Sequence, residues 1–439
     1  MMNLTFQFSE LVVSITETID LISPVVSNHH KLVAYISYSL AKQLGLSSNE
    51  QIKIEIAGSL HDIGGLTLIE RLAPTEFDYK DSDSHAERGY LLLNGLKPCL
   101  GISQIIRYHH DSWLNGDCVG VKGEKIPFGS HILNLADRVS ILIKEKDKNI
   151  LSSADGIREK ICERKGDAFH PEVVDAFMEM SRKDSFWLGT KYLNPPNFIA
   201  QKINNDFVDF SHSDFEELMI FMSRLVDFKS RFTASHSSSV AACAELIAKY
   251  VGFTKSETKL IKYAGYIHDL GKLAIPTEIL EKTGPLSKEE FQLMRTHAYH
   301  SNRVLENVSG FETIRIWGAL HHEKLNGKGY PFGFKGEEIP LGSRIIAVAD
   351  IFTAIREKRP YREPMSKGET ISILTGMADS YEIDSSLVEI VKNNFDELDI
   401  VREKAHKDTL SQYEKFNSEL ERYKNSKYKL EQTVINKLI

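Results

Sequence analysis

The chain has 439 residues, 42% of them hydrophobic and 26% charged, with a formal net charge of -7. Such length and composition fit an ordinary globular protein of roughly two to four domains. The acidic balance excludes a nonspecific DNA or RNA binder, whose contact surface must be broadly basic, but not a small anionic ligand held where metal ions reverse the local potential.

Met1 to Leu21 has no basic leader and carries Glu10, Glu17 and Asp20, and no apolar run approaches a membrane span. A cytoplasmic protein without membrane contact is expected. Cys99, Cys118, Cys162 and Cys243 show no CxxC spacing and read as buried free thiols of a reducing cytosol.

Helical punctuation dominates from there. Ser47-Ser-Asn-Glu50 is a capping box set after Gly45, a residue suited to ending the preceding helix. It opens a segment with Ile52, Ile56 and Leu60 at helical spacing, which runs straight into His61-Asp62. Gly123-Glu-Lys-Ile-Pro127, Leu135-Ala-Asp137 and an amphipathic segment from Pro171 to Phe186 follow. Asn194-Pro-Pro-Asn197 marks a boundary.

The pattern then repeats. Gly252 precedes the capping box Thr254-Lys-Ser-Glu257, and Leu260, Ala264 and Ile267 lead into His268-Asp269. A third box, Ser287-Lys-Glu-Glu290, opens the helix expected to carry His297. Gly336-Glu-Glu-Ile-Pro340 and Val348-Ala-Asp350 match their counterparts in the first half, and Ser385 to Phe395 is again amphipathic. From about Glu403 the chain is highly charged, with Leu410, Tyr413, Phe416, Leu420, Tyr423, Leu430 and Val434 spaced near a heptad. That stripe suits a helix lying back on its own domain as well as a short coiled coil joining a homodimer. The expected fold is all-α: tandem helical domains over 1–200 and 201–400, and a charged C-terminal helix over 401–439. At most a short hairpin is expected between Gly327 and Gly336.

Two histidine-rich series run through these halves in one order. The second is His236, His268-Asp269-Leu-Gly-Lys272, His297, His321-His322-Glu323, Gly329-Tyr330-Pro331 and Asp350. The first is His29, His61-Asp62-Ile-Gly-Gly65, His85, His109-His110 and Asp137. One interval separates His29 from His61 and His236 from His268; another separates His85 from His109 and His297 from His321. A single histidine is more often a surface or core residue than a ligand, and His212 and His300 are assigned no role. Recurrence of the whole set in register is what a metal site leaves behind. Imidazole with carboxylate, and no thiolate, suits Fe, Mn or Zn at a hydrolytic site. On a helix His268 and Asp269 would project about 100° apart, so that the carboxylate could bridge two metals. Lys272 would share the face of His268 if the helix continued, and could contact a scissile phosphate.

With these residues in view, the second unit resembles an HD-GYP domain, a bacterial phosphodiesterase branch of the HD superfamily. The resemblance spans roughly Phe215 to Phe395. It rests on His-Asp-Leu-Gly-Lys, on His-His-Glu followed by Asn326-Gly-Lys-Gly-Tyr-Pro331, and on Arg359-Pro-Tyr-Arg362 after Asp350. It implies hydrolysis of cyclic dinucleotides, chiefly cyclic di-GMP and in some members the mixed cyclic GMP-AMP, at a di- or trinuclear site often holding iron or manganese. Carried over by position, His236, His268, Asp269 and Asp350 would hold one metal. Asp269 would bridge to a second, held by His297, His321 and His322. Gly329, Tyr330, Arg359 and Arg362 would face the dinucleotide, the arginines offering fork-shaped donors to phosphate. Asp269 and Lys272 would serve catalysis.

This sequence departs from the family pattern in places. Phe232 stands where members with a third metal carry a glutamate, so two divalent ions, Fe or Mn, are expected. Asn326 replaces the usual aspartate, and His297-Ala leads to Ser301 where the family often has His-Pro and glycine. In the first unit Gly65 stands in place of Lys272, Asp117-Cys-Val-Gly120 replaces the Gly-Tyr-Pro segment, and Lys146 replaces Arg359. A regulatory or degenerate module fits, and whether His29, His61, Asp62, His85, His109, His110 and Asp137 bind metal stays open. The leading expectation is a metal-dependent cyclic dinucleotide phosphodiesterase. The alternatives are a cyclic dinucleotide receptor that does not cleave and an HD-type nucleotidase acting on linear nucleotides.

Overall fold

The computed structural model describes residues 7–20, 28–65, 83–114, 125–143, 149–191, 212–228, 234–358 and 363–438. It divides into two compact units. One comprises Phe8–Phe207 with Phe416–Ile439, and the other Val208–Lys415 with Met1–Gln7. The described residues are helices joined by turns. They contain no strand; an isolated bridge joins Lys165 and Phe169. No helix is long and apolar enough to cross a membrane among the described residues.

Each unit is built on one plan, and the sequence gives local reasons for it. Capping boxes form at Ser47 with Glu50, Thr254 with Glu257 and Ser287 with Glu290, each satisfying donors that a helix start leaves over. In the first unit helices His29–Gln43 and Ser48–Leu60 pack against each other; in the second, His236–Val251 and Lys255–Ile267 do so. Both crossings depend on small residues. A Cβ on Gly58 would lie 2.8 Å from Ala34 Cα, and one on Gly265 would lie 2.6 Å from Ala241 Cα. The close approach brings the first histidine of each series beside the His-Asp pair.

Helices Phe128–Leu142 and Leu341–Arg356 supply the centre of each core. Ile132, Leu133, Leu135 and Val139 are fully buried in one, Ile345, Ile346, Val348 and Phe352 in the other. Each helix turns its aspartate, Asp137 or Asp350, toward the histidines instead of the apolar core.

Cys99 and Cys243 are buried as expected, but Cys162, at the end of helix Ile150–Glu163, is exposed. Three further local expectations take definite form. No hairpin forms between Gly327 and Gly336, because backbone groups there are taken up otherwise. Phe332 N and Gly333 N donate to the Glu323 carboxylate, and Gly336 N donates to Leu325 O. The amphipathic stretch Pro171 to Phe186 breaks into helices Pro171–Met180 and Asp184–Gly189. The C-terminal helix starts at Phe395, upstream of Glu403, and runs to Leu438. Its apolar stripe is used within the chain: Tyr413 packs on Phe228 at 5.1 Å between ring centroids, while Leu420 and Tyr423 are buried. Asn194–Asn197 lies outside the described residues, as do the side chains of Leu430 and Val434.

Candidate metal centre and active site

Five segments of the second unit converge. His236 opens helix His236–Val251, and His268 caps the end of helix Lys255–Ile267. Asp269 follows in a turn, after which Leu270–Ala274 form a 3-10 helix. The α-helix therefore does not continue to Lys272, the condition on which that residue would have shared the face of His268. The tighter turn still brings Lys272 Nζ to 2.5 Å from Asp269 Oδ2. A Cβ on Gly271 would lie 2.0 Å from His297 O, so the His-Asp turn presses onto the helix carrying His297 only because that residue is glycine. His321 and His322 follow the short helix Glu312–Ala319, and Asp350 projects from Leu341–Arg356.

Asp269 sits at the centre of the cluster. Its Oδ2 lies 3.3 Å from His268 Nε2 and 4.0 Å from His236 Nε2. Its Oδ1 lies 3.3 Å from His297 Nε2 and 4.0 Å from His321 Nε2. One oxygen thus faces each of two ligand groups, His236 with His268 and Asp350, and His297 with His321 and His322, whose ligand atoms lie within 4.8 Å of one another in each group. The first group is completed by His236 Nε2 at 3.1 Å from Asp350 Oδ1.

The imidazoles are aimed by their other nitrogen. His268 Nδ1 donates to Gly265 O (2.8 Å), His297 Nδ1 to Met294 O (2.6 Å) and His321 Nδ1 to Gly318 O (2.7 Å). A carbonyl only accepts, so each contact places the proton on Nδ1 and leaves the Nε2 lone pair facing the cluster. The Nε2 atoms of His268, His297 and His321 are buried and make no hydrogen bond. Buried unsatisfied nitrogens of this kind are costly, and three of them pointing inward fit a cation.

Electrostatics agree with that reading at His297, His322 and Asp269, and run against it at His236. Burial, reinforced by neighbouring imidazoles, lowers His322 to about 3. Burial lowers His297 to about 4, with Asp269 opposing. Burial also works against charge on Asp269, yet Lys272 and His268 outweigh it and hold the carboxyl well below its usual range. Burial opposes the charge of His236 as well, but Glu357 and Asp350 carry it up to about 10. Neutral imidazoles and ionised carboxylates are the forms that ligate, so His297, His322 and Asp269 are ready for an ion, while His236 must give up its proton to bind one.

Beside the cluster lies the Gly-Tyr-Pro loop. Tyr330 N donates to His322 O at 3.2 Å, and the Tyr330 ring centroid is 4.7 Å from that of His322. A Cβ on Gly329 would lie 2.3 Å from Lys324 N, so glycine is what lets the loop close over the paired histidines. Arg359, Arg362 and Phe232 lie outside the described residues.

The first unit repeats the arrangement. Asp62 Oδ2 lies 3.2 Å from His61 Nε2 and 3.7 Å from His29 Nε2, and its Oδ1 lies 3.0 Å from His85 Nε2 and 4.0 Å from His109 Nε2. His61 Nδ1 donates to Gly58 O and His109 Nδ1 to Ile106 O. Asp137 Oδ1 is 3.4 Å from His29 Nε2, and His110 Nε2 is 3.0 Å from His85 Nε2. Residues 115–124 and Lys146 lie outside the described residues.

The HD domain family model matches residues 14–154 and again 221–387, one match in each unit. The chain belongs to the HD domain family. Over 390 residues it is 30% identical to the 3'3'-cGAMP-specific phosphodiesterase 1 of Vibrio cholerae, covering 84% of this chain and 87% of that protein. It is also 30% identical over 225 residues to a cyclic di-GMP phosphodiesterase of Thermotoga maritima, across 50% of this chain and 60% of the relative. The crystal structure of a cyclic GMP-AMP-specific phosphodiesterase of Vibrio cholerae, V-cGAP3, superposes with a TM-score of 0.60 at 22% identity. That match covers 89% of this chain and 98% of the other, and it shows a shared fold. The HD-GYP resemblance read from the sequence accords with these relatives.

Three residues of this HD chain extend the site beyond the sequence reading. Glu357 Oε2 accepts from His236 Nδ1 at 3.0 Å and is itself buried. The guanidinium of Arg295 lies 4.6 Å from the Tyr330 ring centroid, a cation on an aromatic face. Glu323, noted only as part of the motif, holds the loop after Pro331 through Phe332 N (2.7 Å) and Gly333 N (3.1 Å). Neither Arg295 nor Glu357 carried a signal: Arg295 stands two residues before His297, on another side of the helix, and Glu357 is far from His236 in sequence.

Proposed function

We propose that this chain is a metal-dependent phosphodiesterase that hydrolyses a cyclic dinucleotide, cyclic di-GMP or 3',3'-cyclic GMP-AMP, to the linear dinucleotide. The observation that carries the reading is Asp269, one oxygen toward each of two histidine groups, with Lys272 against it and the Tyr330 loop alongside. The names of the relatives supply the substrate class.

In this reading the second unit is catalytic. His236, His268 and Asp350 would hold one divalent ion, His297, His321 and His322 a second, and Asp269 would serve both. Fe or Mn bound there would supply Lewis-acid charge at the phosphodiester and lower the pKa of the attacking water. Water adds to phosphorus, the bond to the ribose 3' oxygen breaks, and that oxygen takes a proton. Lys272 places an ammonium where negative charge develops, and its hydrogen-bond partner Asp269 keeps it there. Tyr330, with Arg295 on its ring, forms an aromatic and cationic wall suited to a nucleobase. Gly329 lets that wall approach the cluster, and Arg359 and Arg362 bind the second phosphate. The first unit, with Gly65 at the position of Lys272, regulates and does not cleave.

The test is turnover by the purified chain loaded anaerobically with Fe(II) or Mn(II), with both cyclic dinucleotides offered and products separated by chromatography. A linear dinucleotide should appear, and Asp269→Ala should abolish it. Fully loaded protein that leaves both substrates intact, or that binds them tightly without cleavage, would replace the enzyme with a receptor. Preference for linear nucleotides would favour a nucleotidase.

A further inference from the structure

We infer that His30, which has no histidine counterpart in the second unit, is a further ligand of the metal cluster that the HD residues of the first unit would hold. The inference concerns metal retention alone and stands whether or not the reaction proposed for the second unit is correct.

The matched residues already form two groups whose ligand atoms lie within 4.8 Å of one another: His29, His61 and Asp137, and Asp62, His85, His109 and His110. His109 Nε2 is buried and makes no hydrogen bond, while its Nδ1 is committed to Ile106 O. A relic under no pressure to hold an ion could fill this space with apolar side chains, which would remove the cost of burying bare nitrogens.

His30 supplies the independent observation. In the second unit the residue after the first histidine is Ser237, whose hydroxyl donates to Asp227 Oδ1 at 2.9 Å. Asp20 occupies the position of Asp227 in the first unit, but an imidazole meets it. His30 Nδ1 pairs with Asp20 Oδ1, and both residues are buried. His30 Nε2 is buried and makes no hydrogen bond. It belongs to a third group with His61 and Asp62, again within 4.8 Å, and its ring centroid lies 5.3 Å from that of His61. A carboxylate on one nitrogen with the other left bare toward a ligand cluster is how proteins set a ligating histidine.

The donor set also says which ions fit. The first unit offers more imidazole per carboxylate than the second, which favours borderline divalent ions such as Fe(II) or Zn(II) over Mn(II) or Mg(II). Holding is separated from cleaving. Gly65 removes the ammonium that Lys272 provides, and Arg138 Nη2 contacts Asp137 Oδ2 at 2.6 Å, where the second unit has Ile351. A centre of this kind contributes its binding free energy to the fold of its own unit.

The experiment is metal counting on the full-length chain, stripped with chelator, reloaded anaerobically with Fe(II) or Zn(II), desalted and analysed by mass spectrometry. About four ions per chain are expected, two for each two-metal cluster. Asp269→Asn should retain about two ions, and reloading it should still raise its Tm. Asp62→Asn should also fall to about two. His30→Ala should weaken the remaining sites of an Asp269→Asn chain by about 10- to 100-fold in a chelator competition. Circular dichroism checks that each variant is helical. Should Asp62→Asn not fold, the counts for the unaltered chain and for Asp269→Asn decide alone. Loss of all metal in Asp269→Asn would overturn the first-unit centre, and unchanged affinity in the His30→Ala chain would overturn the role of His30.

Discussion

The Glu357 carboxylate lies 3.0 Å from His236 Nδ1, on the far side of the imidazole from Asp350. The pair fixes both ring orientation and tautomer, leaving Nε2 to face the cluster. Partners of this kind typically carry 10- to 100-fold of metal affinity, roughly, when removed. Glu357→Ala should therefore weaken metal retention in the second unit by about that factor, measured by chelator competition, while helix content stays unchanged.

Lys272 is expected to act on rate and not on metal content. Removing one positioned donor to developing charge costs roughly 10²- to 10³-fold in kcat. Lys272→Met should show a loss of that order with the metal count of the parent chain. A variant that loses its metal in proportion to its activity would make Lys272 a structural partner of Asp269 instead.

Glu323 anchors the loop that carries Tyr330. Without its carboxylate Phe332 N and Gly333 N lose their acceptor. A hydrogen bond to a charged group is worth about 1.5 kcal/mol or more, equivalent to roughly tenfold in binding. Glu323→Ala should raise KM by about that factor with a smaller change in kcat, read from steady-state turnover across substrate concentration.

Gly271 is a packing constraint. The Cβ of Gly271→Ala would meet His297 O at 2.0 Å and Ser301 N at 2.4 Å, both backbone atoms that cannot swing aside. Overpacking of this type costs about 1–3 kcal/mol. Chemical denaturation should show a loss of that size, with weaker metal retention because the His-Asp turn and His297 move apart.

The pH dependence of the metal-free chain has two arms. His297, lowered by burial to about 4, and His322, lowered by burial to about 3, start from 6.5. The unfolded chain binds their protons first, so stability is lost as pH falls from 6.5 through these values. His236, raised to about 10 by Glu357 and Asp350 against burial, has the opposite sign: its contribution is present below 6.5 and lost as pH rises toward 10. The Tm of the metal-free protein should be highest near pH 6.5. Metal loading should flatten the alkaline arm, because the ion takes the place of the His236 proton. A scanning-fluorimetry series with and without metal checks both arms.

The parts of this molecule legible in sequence are those set by local rules. Capping boxes at Ser47, Thr254 and Ser287 form as their residue types require. The two ligand series were visible because a duplication preserves spacing. What escaped the sequence was decided by contacts between distant segments or by competition for backbone groups. Glu357 meets His236 only through the packing of helix Leu341–Arg356, and the residues after Pro331 form turns because Glu323 claims their amides. Lys272 reaches its partner through a 3-10 turn that periodicity alone could not distinguish from a continuing helix. His30 was hidden by its neighbour, since a pair of adjacent histidines gives no hint of which one a buried aspartate will claim.

In both units the second nitrogen of key imidazoles is tied to a carbonyl three residues earlier, as in His61 with Gly58 and His268 with Gly265. These tethers are made by the chain's own turns, so the rings keep their aim when no ion is present. Metal can then come and go without rebuilding the walls around it. Such a protein can be emptied by scarcity and recharged when supply returns, which ties its working state to the metal economy of the cell that makes it.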